Sequence, residues 1–322
     1  MAGTVETVRG PVDPADLGVT LAHEHVFVLT PDSQNQWSDE WDEEAKVAEA
    51  VTKLRELADA GVKTIVDPTV DGLGRNVPRI ARINEQVPEL NILVATGVYT
   101  YTEVPHYFAH RGPGALPDLP EPMVDLFVKD IEQGIQGTSI KASFLKCAID
   151  HQGLTSGVER VLRACSKAQL QTGVPLMVHT HPGSKTGLEV QKVLADEGVP
   201  PASVLLAHSG DTTDADHLQA LAEAGFLLGM DRFGLDLTLD FDGRVGIVAE
   251  LCRRGLAASM VLAQDASCYI DWIQPDLLAF MPNWNYLHVQ RDVVPALLER
   301  GVTQEQVDTM LVGNPRRFFA RG

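Results

Sequence analysis

Eight short apolar segments recur along this chain of 322 residues, and longer segments with helical periodicity separate them. In the clearest helical segment, residues 43–61, Val47, Val51 and Leu54 fall on one face, and Gly61 ends the helix. Such alternation is typical of a parallel sheet buried on both faces. Eight repeats fit a closed barrel better than an open sheet. The apolar segments are residues 20–28, 63–70, 91–99, 143–150, 175–180, 203–210, 226–233 and 259–266.

A Rossmann-like open sheet is the alternative architecture. It is less favoured because no G-x-G-x-x-G motif follows the first apolar segment. Neither a long linker nor a low-complexity tract divides the chain. We therefore predict an α/β protein with a single (β/α)8 TIM-barrel domain over residues 1–322.

The composition argues against several classes of function. The chain has 44 acidic and 26 basic residues and a net charge of −18, which repels nucleic-acid backbones and anionic lipid. No segment is typical of a signal peptide or a membrane span. Cys147, Cys165, Cys252 and Cys268 form no CxxC pair, which argues against a disulfide framework and a thiolate zinc site. We expect a cytoplasmic protein that binds neither nucleic acid nor membrane.

Polar side chains stand near the ends of the predicted strands, where (β/α)8 barrels build their active sites. His23 and His25 are two residues apart, so on a strand both point to the same face. Adjacent buried imidazoles are costly without a partner, and zinc is a natural one. Any one histidine could be a hydrogen-bonded core residue, but the whole set favours a metal centre. The set is His23, His25, Lys146, His179, His208 and Asp265.

Lys146 is the unusual member of this set. An ammonium group cannot bind a metal ion, and burying it without a partner is costly. One explanation is a carboxylate partner, and Asp150 lies nearby in the sequence. The other is conversion to a carbamate by CO2, which would give an anion able to bridge two cations. The spacing alone leaves both explanations open.

Several segments resemble the phosphotriesterase family of the amidohydrolase superfamily. GVTLAHEHV (18–26) is similar to the family's first-strand signature, and FLKCAID (144–150) to the region of its carbamylated lysine. The resemblance extends from about residue 3 to about residue 320. The later segments that carry it are VHTHPGSKTGLEVQKVL, LLAHSGD, GMDRFG and GNPRRFF.

The resemblance implies how a metal centre would be divided. His23, His25 and Asp265 would hold the more buried ion, and His179 and His208 the more exposed one. Lys146, as its carbamate, would bridge the two ions. Zinc, cobalt, iron and manganese all suit such ligands. The family resemblance also implies a homodimer.

Two further segments resemble the lactonases of this family, which act on N-acyl-homoserine lactones. Residues 97–108 place Tyr99 at the end of the third strand, and residues 265–289 form an extended loop after the eighth. By this resemblance Tyr99 would lean over the metal pair and Arg232 would shape the pocket. Asp265 would pass a proton from water to the departing ring oxygen.

Both residues also have a structural interpretation. Tyr99 could be only an aromatic residue at the barrel rim, and Arg232 could form an ion pair with Asp231 or Asp236. The apolar side chains near the site could line an acyl-chain channel or simply pack onto the barrel. Those predicted to line the pocket are Phe27, Tyr269, Ile270, Trp272, Phe280 and Trp284.

The sequence therefore predicts a binuclear-metal hydrolase whose substrate is a small lactone. It would open N-acyl-homoserine lactones and related γ- and δ-lactones, which is quorum quenching, and would show weak phosphotriesterase activity. The first alternative is a phosphotriesterase or another ester or amide hydrolase with the same metal centre. The second is a barrel that binds a ligand without turnover, which the complete set of metal ligands makes less favoured.

Overall fold

A computed structural model describes residues 3–37, 41–115 and 119–320. Eight parallel strands form one sheet in the order β1-β3-β4-β5-β6-β7-β8-β9, and β2 pairs with β10 in parallel. The strands are β1 (Thr20–Leu21), β2 (His25–Val28), β3 (Thr64–Asp67), β4 (Asn91–Gly97), β5 (Phe144–Ala148), β6 (Leu176–His179), β7 (Val204–Ala207), β8 (Leu227–Met230), β9 (Met260–Leu262) and β10 (Ser267–Ile270).

Helices separate most successive strands of this sheet and cover its outer face. The helix α2 (Glu43–Asp59) shows why the sequence folds in this way: Asp42 caps its first turn, and the predicted apolar face is buried. The other helices are α1 (Pro31–Gln36), α3 (Val77–Asn84), α4 (His106–Ala109), α5 (Pro122–Glu132), α6 (Ser156–Thr172), α7 (Thr186–Glu197), α8 (Ala215–Glu223), α9 (Phe241–Arg253), α10 (Pro275–Leu278), α11 (Val294–Glu299), α12 (Gln304–Asp308) and α13 (Asn314–Phe319).

The first apolar segment closes the barrel against the last. It splits into β1, which pairs with β3, and β2, which pairs with β10. Between them the Ala22 amide donates to the Leu262 carbonyl at 3.4 Å, and the Asp265 amide donates to the His23 carbonyl at 3.0 Å. The prediction of a (β/α)8 barrel is confirmed, and the open Rossmann-like sheet is excluded.

Alternating strand residues fill the barrel interior and its outer layer. Phe144 of β5 and Met177 of β6 belong to an inner apolar cluster that also contains Phe319 of α13. The rings of Phe144 and Phe319 meet edge to face, with centroids 5.7 Å apart. Two residues beyond Phe144 and Met177 stand Lys146 and His179, so strand alternation points both into the barrel.

Three sequence-based expectations concern the chain as a whole. The prediction of one domain over residues 1–322 stays a prediction, and both ends of that range lie outside the described residues. No helix within the described residues is long and apolar enough to cross a membrane. The extended segment after the eighth strand is present and contains β10 and α10.

Candidate metal centre

The six predicted metal-binding side chains line one cavity at the carboxyl ends of the strands. This cavity has a volume of about 200 Å³. His23 lies in the break between β1 and β2, His25 begins β2, and Lys146 and His179 project from β5 and β6. The structure thus brings together all six: His23, His25, Lys146, His179, His208 and Asp265.

His208 directly follows β7, Asp265 lies three residues after β9, and both have a rare backbone conformation. Their φ angles are 65° and 54°, in the left-handed region that non-glycine residues seldom adopt. Such conformations persist where the surrounding structure holds them and are common at functional sites. Here they place both side chains in the cavity.

The protonation state of His23 and His208 follows from a shared carboxylate. Asp231 accepts a hydrogen bond from His23 Nδ1 at 2.8 Å and one from His208 Nδ1 at 3.0 Å. Because a carboxylate only accepts, Nδ1 carries the proton in both rings and Nε2 keeps its lone pair. Burial lowers the pKa of both imidazoles, so they stay neutral. Asp231 therefore orients two predicted ligands at once.

His25 is held in the same way through a hydroxyl group. Thr69 donates its proton to Asp67 at 2.5 Å, so its oxygen accepts from His25 Nδ1 at 2.7 Å. The Nε2 atoms of His25 and His23 each lie 3.3 Å from Asp265 Oδ1. Two imidazole lone pairs thus face a carboxylate oxygen, an arrangement that a cation would stabilise.

His179 completes the set of oriented imidazoles. Its Nε2 donates a short hydrogen bond to Asp150, and its Nδ1 accepts from the Tyr99 hydroxyl at 3.0 Å. Burial lowers the pKa of His179 to about 4, so the ring is neutral. Asp150, one candidate partner for Lys146, pairs with this histidine instead.

Lys146 lies buried on the cavity floor. Among the described residues, no group hydrogen-bonds to its Nζ atom. Burial lowers the pKa of this amine to about 8, although Asp265 and Asp231 oppose the shift. Burial therefore increases the fraction of neutral amine, the form that reacts with CO2.

The donor set fits divalent metal ions. His23, His25 and Asp265 place their ligand atoms within 4.8 Å of one another. Neutral imidazoles and ionised carboxylates are good ligands for zinc and for several neighbouring first-row metals. The outer nitrogen of every histidine in the set is already occupied by a protein group.

Arg232 joins this centre to a second carboxylate. Its Nε donates to Asp265 Oδ2 at 3.0 Å and its Nη1 to Asp211 Oδ2 at 3.0 Å, so Asp231 and Asp236 are not its partners. Burial alone would raise the pKa of Asp265, but His23, His25, His208 and Arg232 together hold it well below its usual value. Asp265 is therefore ionised.

Apolar side chains form the wall and mouth of the cavity. Three of the predicted pocket residues, Ile270, Trp272 and Trp284, lie in this wall. Trp284 is fixed there because its Nε1 donates to the Gln264 carbonyl at 2.9 Å. The other apolar members of this wall, which were not predicted from the sequence, are Val28, Leu73, Leu235 and Ile273.

Three of the predicted pocket residues lie elsewhere. Phe27 and Tyr269 are paired across β2 and β10, and both pack against Trp41, with ring centroids 5.5 and 5.6 Å away. Val28 and Ile270, one residue further along each strand, face the cavity in their place. Phe280 is 77% exposed and does not contribute to the cavity lining.

Three further residues of the centre were not predicted as site residues from the sequence. Asp231 directly follows β8, so the rule that placed His208 after β7 could have found it. Tyr101 also lines the cavity, and its hydroxyl lies 2.6 Å from that of Tyr99. Glu24 is buried and accepts the amides of Gln264 and Ala266 at 2.7 and 2.9 Å, which fixes the segment that carries Asp265.

Fold and site together define a (β/α)8-barrel protein with a histidine- and carboxylate-rich centre at the carboxyl ends of its strands. Residues 3–319 match the sequence model of the phosphotriesterase family. The chain belongs to this family, as predicted, and is a hydrolase.

Similar proteins extend over almost the whole chain. The chain is 54% identical over 319 residues to a phosphotriesterase homology protein of Mycobacterium tuberculosis H37Rv, covering 98% of each chain. It is 36% identical over 315 residues to an aryldialkylphosphatase of Saccharolobus solfataricus, covering 97% of this chain and 98% of that one. A solved structure of the phosphotriesterase from Mycobacterium tuberculosis superposes with a TM-score of 0.96 at 55% identity, covering 99% and 98% of the two chains.

Proposed function

We propose that this hydrolase uses two divalent metal ions to open the ring of N-acyl-homoserine lactones and related γ- and δ-lactones. The observation that carries the proposal is the buried amine of Lys146. This amine lies among four histidines and Asp265, and no described residue forms a hydrogen bond with it. A carbamate on this amine would turn a costly buried cation into a bridging anion. It would also balance the positive charge of two metal ions.

The proposed ligand sets follow from the oriented lone pairs. His23, His25 and Asp265 would hold one ion, His179 and His208 the other, and the Lys146 carbamate both. Zinc, cobalt, iron or manganese would fit these donors. Bound there, two such ions would supply Lewis acidity and lower the pKa of water to about 7.

Asp265 is the proposed proton carrier. It is ionised at neutral pH, and Arg232 fixes its Oδ2 atom at 3.0 Å. In lactone hydrolysis it would accept the proton of the attacking water and deliver it to the departing ring oxygen. Ring opening thereby gives one product that carries both a carboxylate and a hydroxyl group.

Tyr99 is the proposed hydrogen-bond donor to the substrate, because a metal ion bound at His179 Nδ1 would take the lone pair that its hydroxyl now uses and free that hydroxyl. Burial, with a smaller contribution from Tyr101, raises the pKa of its hydroxyl well above the usual value, so the group remains protonated. A protonated hydroxyl in a largely buried site can stabilise negative charge that develops on a carbonyl oxygen. Tyr101 accompanies it at 2.6 Å and limits its rotation.

The apolar cavity wall supports a substrate with an acyl chain. Ile270, Trp272 and Trp284 surround a polar floor, and small-molecule sites commonly combine apolar walls with a few oriented polar groups. Tyr99 and the extended loop after the eighth strand also resemble the lactonases of the family. These features together favour a lactone over a more polar substrate.

Phosphotriester hydrolysis is the second candidate. The similarity to the aryldialkylphosphatase favours it, because a phosphoryl oxygen and an ester carbonyl make similar demands on the same centre. We expect it as a weak side activity, since the apolar wall fits an acyl chain.

The test compares kcat/KM for the two substrate classes. Protein reconstituted with metal ion and bicarbonate is assayed with long-chain acyl-homoserine lactones, simple γ- and δ-lactones and paraoxon. We expect lactone turnover to exceed paraoxon turnover by orders of magnitude. Efficient paraoxon hydrolysis without lactone turnover would overturn the lactonase proposal and support the second candidate. Inactivity on both would overturn both substrate assignments.

A homodimer in the cytoplasm is a separate proposal, which rests on the family resemblance and on the sequence. Light scattering coupled to size-exclusion chromatography tests the assembly. A mass near twice 35.0 kDa is the expected result, and a mass of one chain would overturn it.

A further inference from the structure

Arg244, in the first turn of α9, is a buried arginine outside the cavity. Its exposed fraction is only 2%, and all five of its N–H donors have acceptors. The acceptors are the carbonyls of Leu239 (3.0 Å), Gly210 (3.2 Å) and Leu235 (3.1 Å), Thr238 Oγ1 (2.6 Å) and Asp211 Oδ1 (2.6 Å). A buried guanidinium with every donor used fixes the groups around it strongly.

One of these acceptors leads directly to the proposed centre. Asp211 receives Arg244 on Oδ1 at 2.6 Å and Arg232 on Oδ2 at 3.0 Å. Arg232 in turn donates to Asp265 at 3.0 Å. An unbroken line of charge-assisted hydrogen bonds therefore runs from Arg244 through Asp211 and Arg232 to the proposed proton carrier.

Gly210 lies beside Asp211 in the segment after β7, and the other three acceptors lie in the loop between β8 and α9. Leu235 of this loop lines the cavity, and Arg244 binds its carbonyl at 3.1 Å. Thr238 adds a second tie, because its hydroxyl accepts from Arg244 and donates to the Leu235 carbonyl at 3.2 Å. One side chain thus fixes both a wall residue and the carboxylate behind Arg232.

We propose that Arg244 is a positioning residue that acts on turnover through Asp211 and on substrate binding through Leu235. The inference rests on the proposed function, since Arg232 and Asp265 matter only in a working hydrolase. A purely architectural arginine would change the amount of folded protein and leave the kinetic constants of the folded fraction unaltered. A positioning residue changes kcat through its contact with Asp211 and KM through its contact with Leu235, so the two effects can be separated by substitution.

The experiment is a double-mutant cycle with one variant for each route. Arg244→Gln, Asp211→Asn and the double variant test the route to Asp265, and Thr238→Val tests the route to Leu235. Arg253→Gln is the matched control, because this arginine of the same helix is largely exposed and pairs with Glu250. All kinetic constants refer to folded, metal-loaded protein, quantified by circular dichroism and bound metal.

We expect Arg244→Gln and Asp211→Asn each to lower kcat about 10- to 100-fold, the size found for groups that orient reactive residues. Arg244→Gln should also raise KM several-fold, because it loses the bonds to Leu235 and Thr238. The double variant should be little worse than the poorer single one, because both break the same line of bonds. Thr238→Val should raise KM for lactones several-fold at unchanged kcat, and Arg253→Gln should change neither constant.

Multiplicative losses in the double variant would overturn the route through Asp211. Unchanged kinetic constants in folded Arg244→Gln protein would overturn the positioning role as a whole. If that variant fails to fold, Arg244→Lys replaces it, and the charge facing Asp211 should then preserve most of kcat while KM stays raised. Wild-type turnover is measured first with lactone and paraoxon, so a failure of the proposed function is seen before the variants are compared.

Discussion

The floor and the rim of the cavity are built in different ways. We call the floor His23, His25, Lys146, His179, His208 and Asp265, and the rim Leu235, Ile270, Trp272, Ile273 and Trp284. Floor side chains stand on strands or within three residues of a strand end, and each imidazole is fixed through its outer nitrogen. Rim side chains come mainly from the segments after β8 and β9, and Trp272 is 47% exposed.

This difference separates chemistry from selectivity. A buried floor with fixed lone pairs can hold metal ions in one geometry, which catalysis requires. A rim made of loops can change shape and composition without disturbing that geometry. Floor substitutions should therefore abolish or reduce turnover, whereas rim substitutions should alter which substrate binds.

The largest effect is expected at Lys146. Lys146→Met keeps the volume of the chain and removes the amine that would form the carbamate. We expect bound metal to fall below two ions per chain and kcat/KM to fall at least about 1,000-fold, or ~4 kcal/mol. Metal analysis by mass spectrometry and a lactone assay measure the two quantities.

Lys192→Met on the exposed face of α7 is the control and should retain both ions and full activity. Incubation with ¹³C-bicarbonate should give a carbamate NMR signal in the wild type and in this control, but not in Lys146→Met. Two tightly bound ions in Lys146→Met would show that the floor needs no bridging carbamate.

Phe27 sharpens the comparison because the sequence places it in the rim and the structure in the core. It is buried, and its ring packs edge to face on Trp41 at 5.5 Å. Phe27→Ala should lower the free energy of unfolding by about 3 kcal/mol through the cavity it leaves. Chemical denaturation measures this loss, and KM of the folded protein should change less than twofold.

The exposed Phe280 offers the matched control for this substitution. Phe280→Ala should change stability by no more than about 0.5 kcal/mol. If instead Phe27→Ala raised KM strongly at little cost in stability, Phe27 would belong to the rim after all.

The same contrast explains what the sequence could predict. Strand alternation and the end of each strand are local properties, so the barrel and the six floor positions followed from spacing and resemblance. The surroundings of Lys146 could not be predicted in this way. Asp150 is only four residues away in sequence, yet it pairs with His179. The role of Asp231 depends on His23, 208 residues away, and no local pattern encodes that contact.

The rim was predictable only in part, for a physical reason. Phe27 and Tyr269 carry the aromatic character of a pocket wall, but Trp41 offers them a packing surface on the other side of the strand pair. Residue type alone does not show whether a side chain of β2 or β10 faces the cavity or the opposite side of the strand pair. Ile270 and Trp284 of the extended loop line the cavity, as the sequence predicted. Leu235 and Ile273 also line it but were not predicted.

Asp231 is expected to have an intermediate effect on the floor. Asp231→Asn weakens the orientation of His23 and His208 together, since an amide can accept from only one of them through its oxygen. Metal affinity should fall about 10- to 100-fold, as for other groups that orient metal ligands. Competition with a chelator measures it.

Asp236→Asn, in the exposed part of the same loop between β8 and α9, is the control and should keep wild-type affinity. An equal loss in both variants would mean that the change reflects general electrostatics. An unaltered affinity in Asp231→Asn would mean that the imidazoles hold their orientation without this carboxylate.

The smallest effect should come from the rim. Trp272 lines the cavity beside Tyr99, with ring centroids 6.1 Å apart, and its Nε1 donates to Thr30 at 3.2 Å. Because the ring is half-exposed, its truncation should remove only about 1 kcal/mol of apolar contact with an acyl chain. Trp272→Ala should therefore raise KM for long-chain lactones about fivefold and leave kcat, and KM for short-chain lactones, nearly unchanged.

Leu277→Ala provides the comparison, because Leu277 is 54% exposed in α10 of the same loop and does not line the cavity. It should leave KM unchanged for both chain lengths. A fall in kcat for Trp272→Ala, equal for long and short chains, would mean that the ring positions Tyr99 and belongs functionally to the floor. Trp272 would then contribute to turnover, while the other rim residues would contribute only to substrate selection.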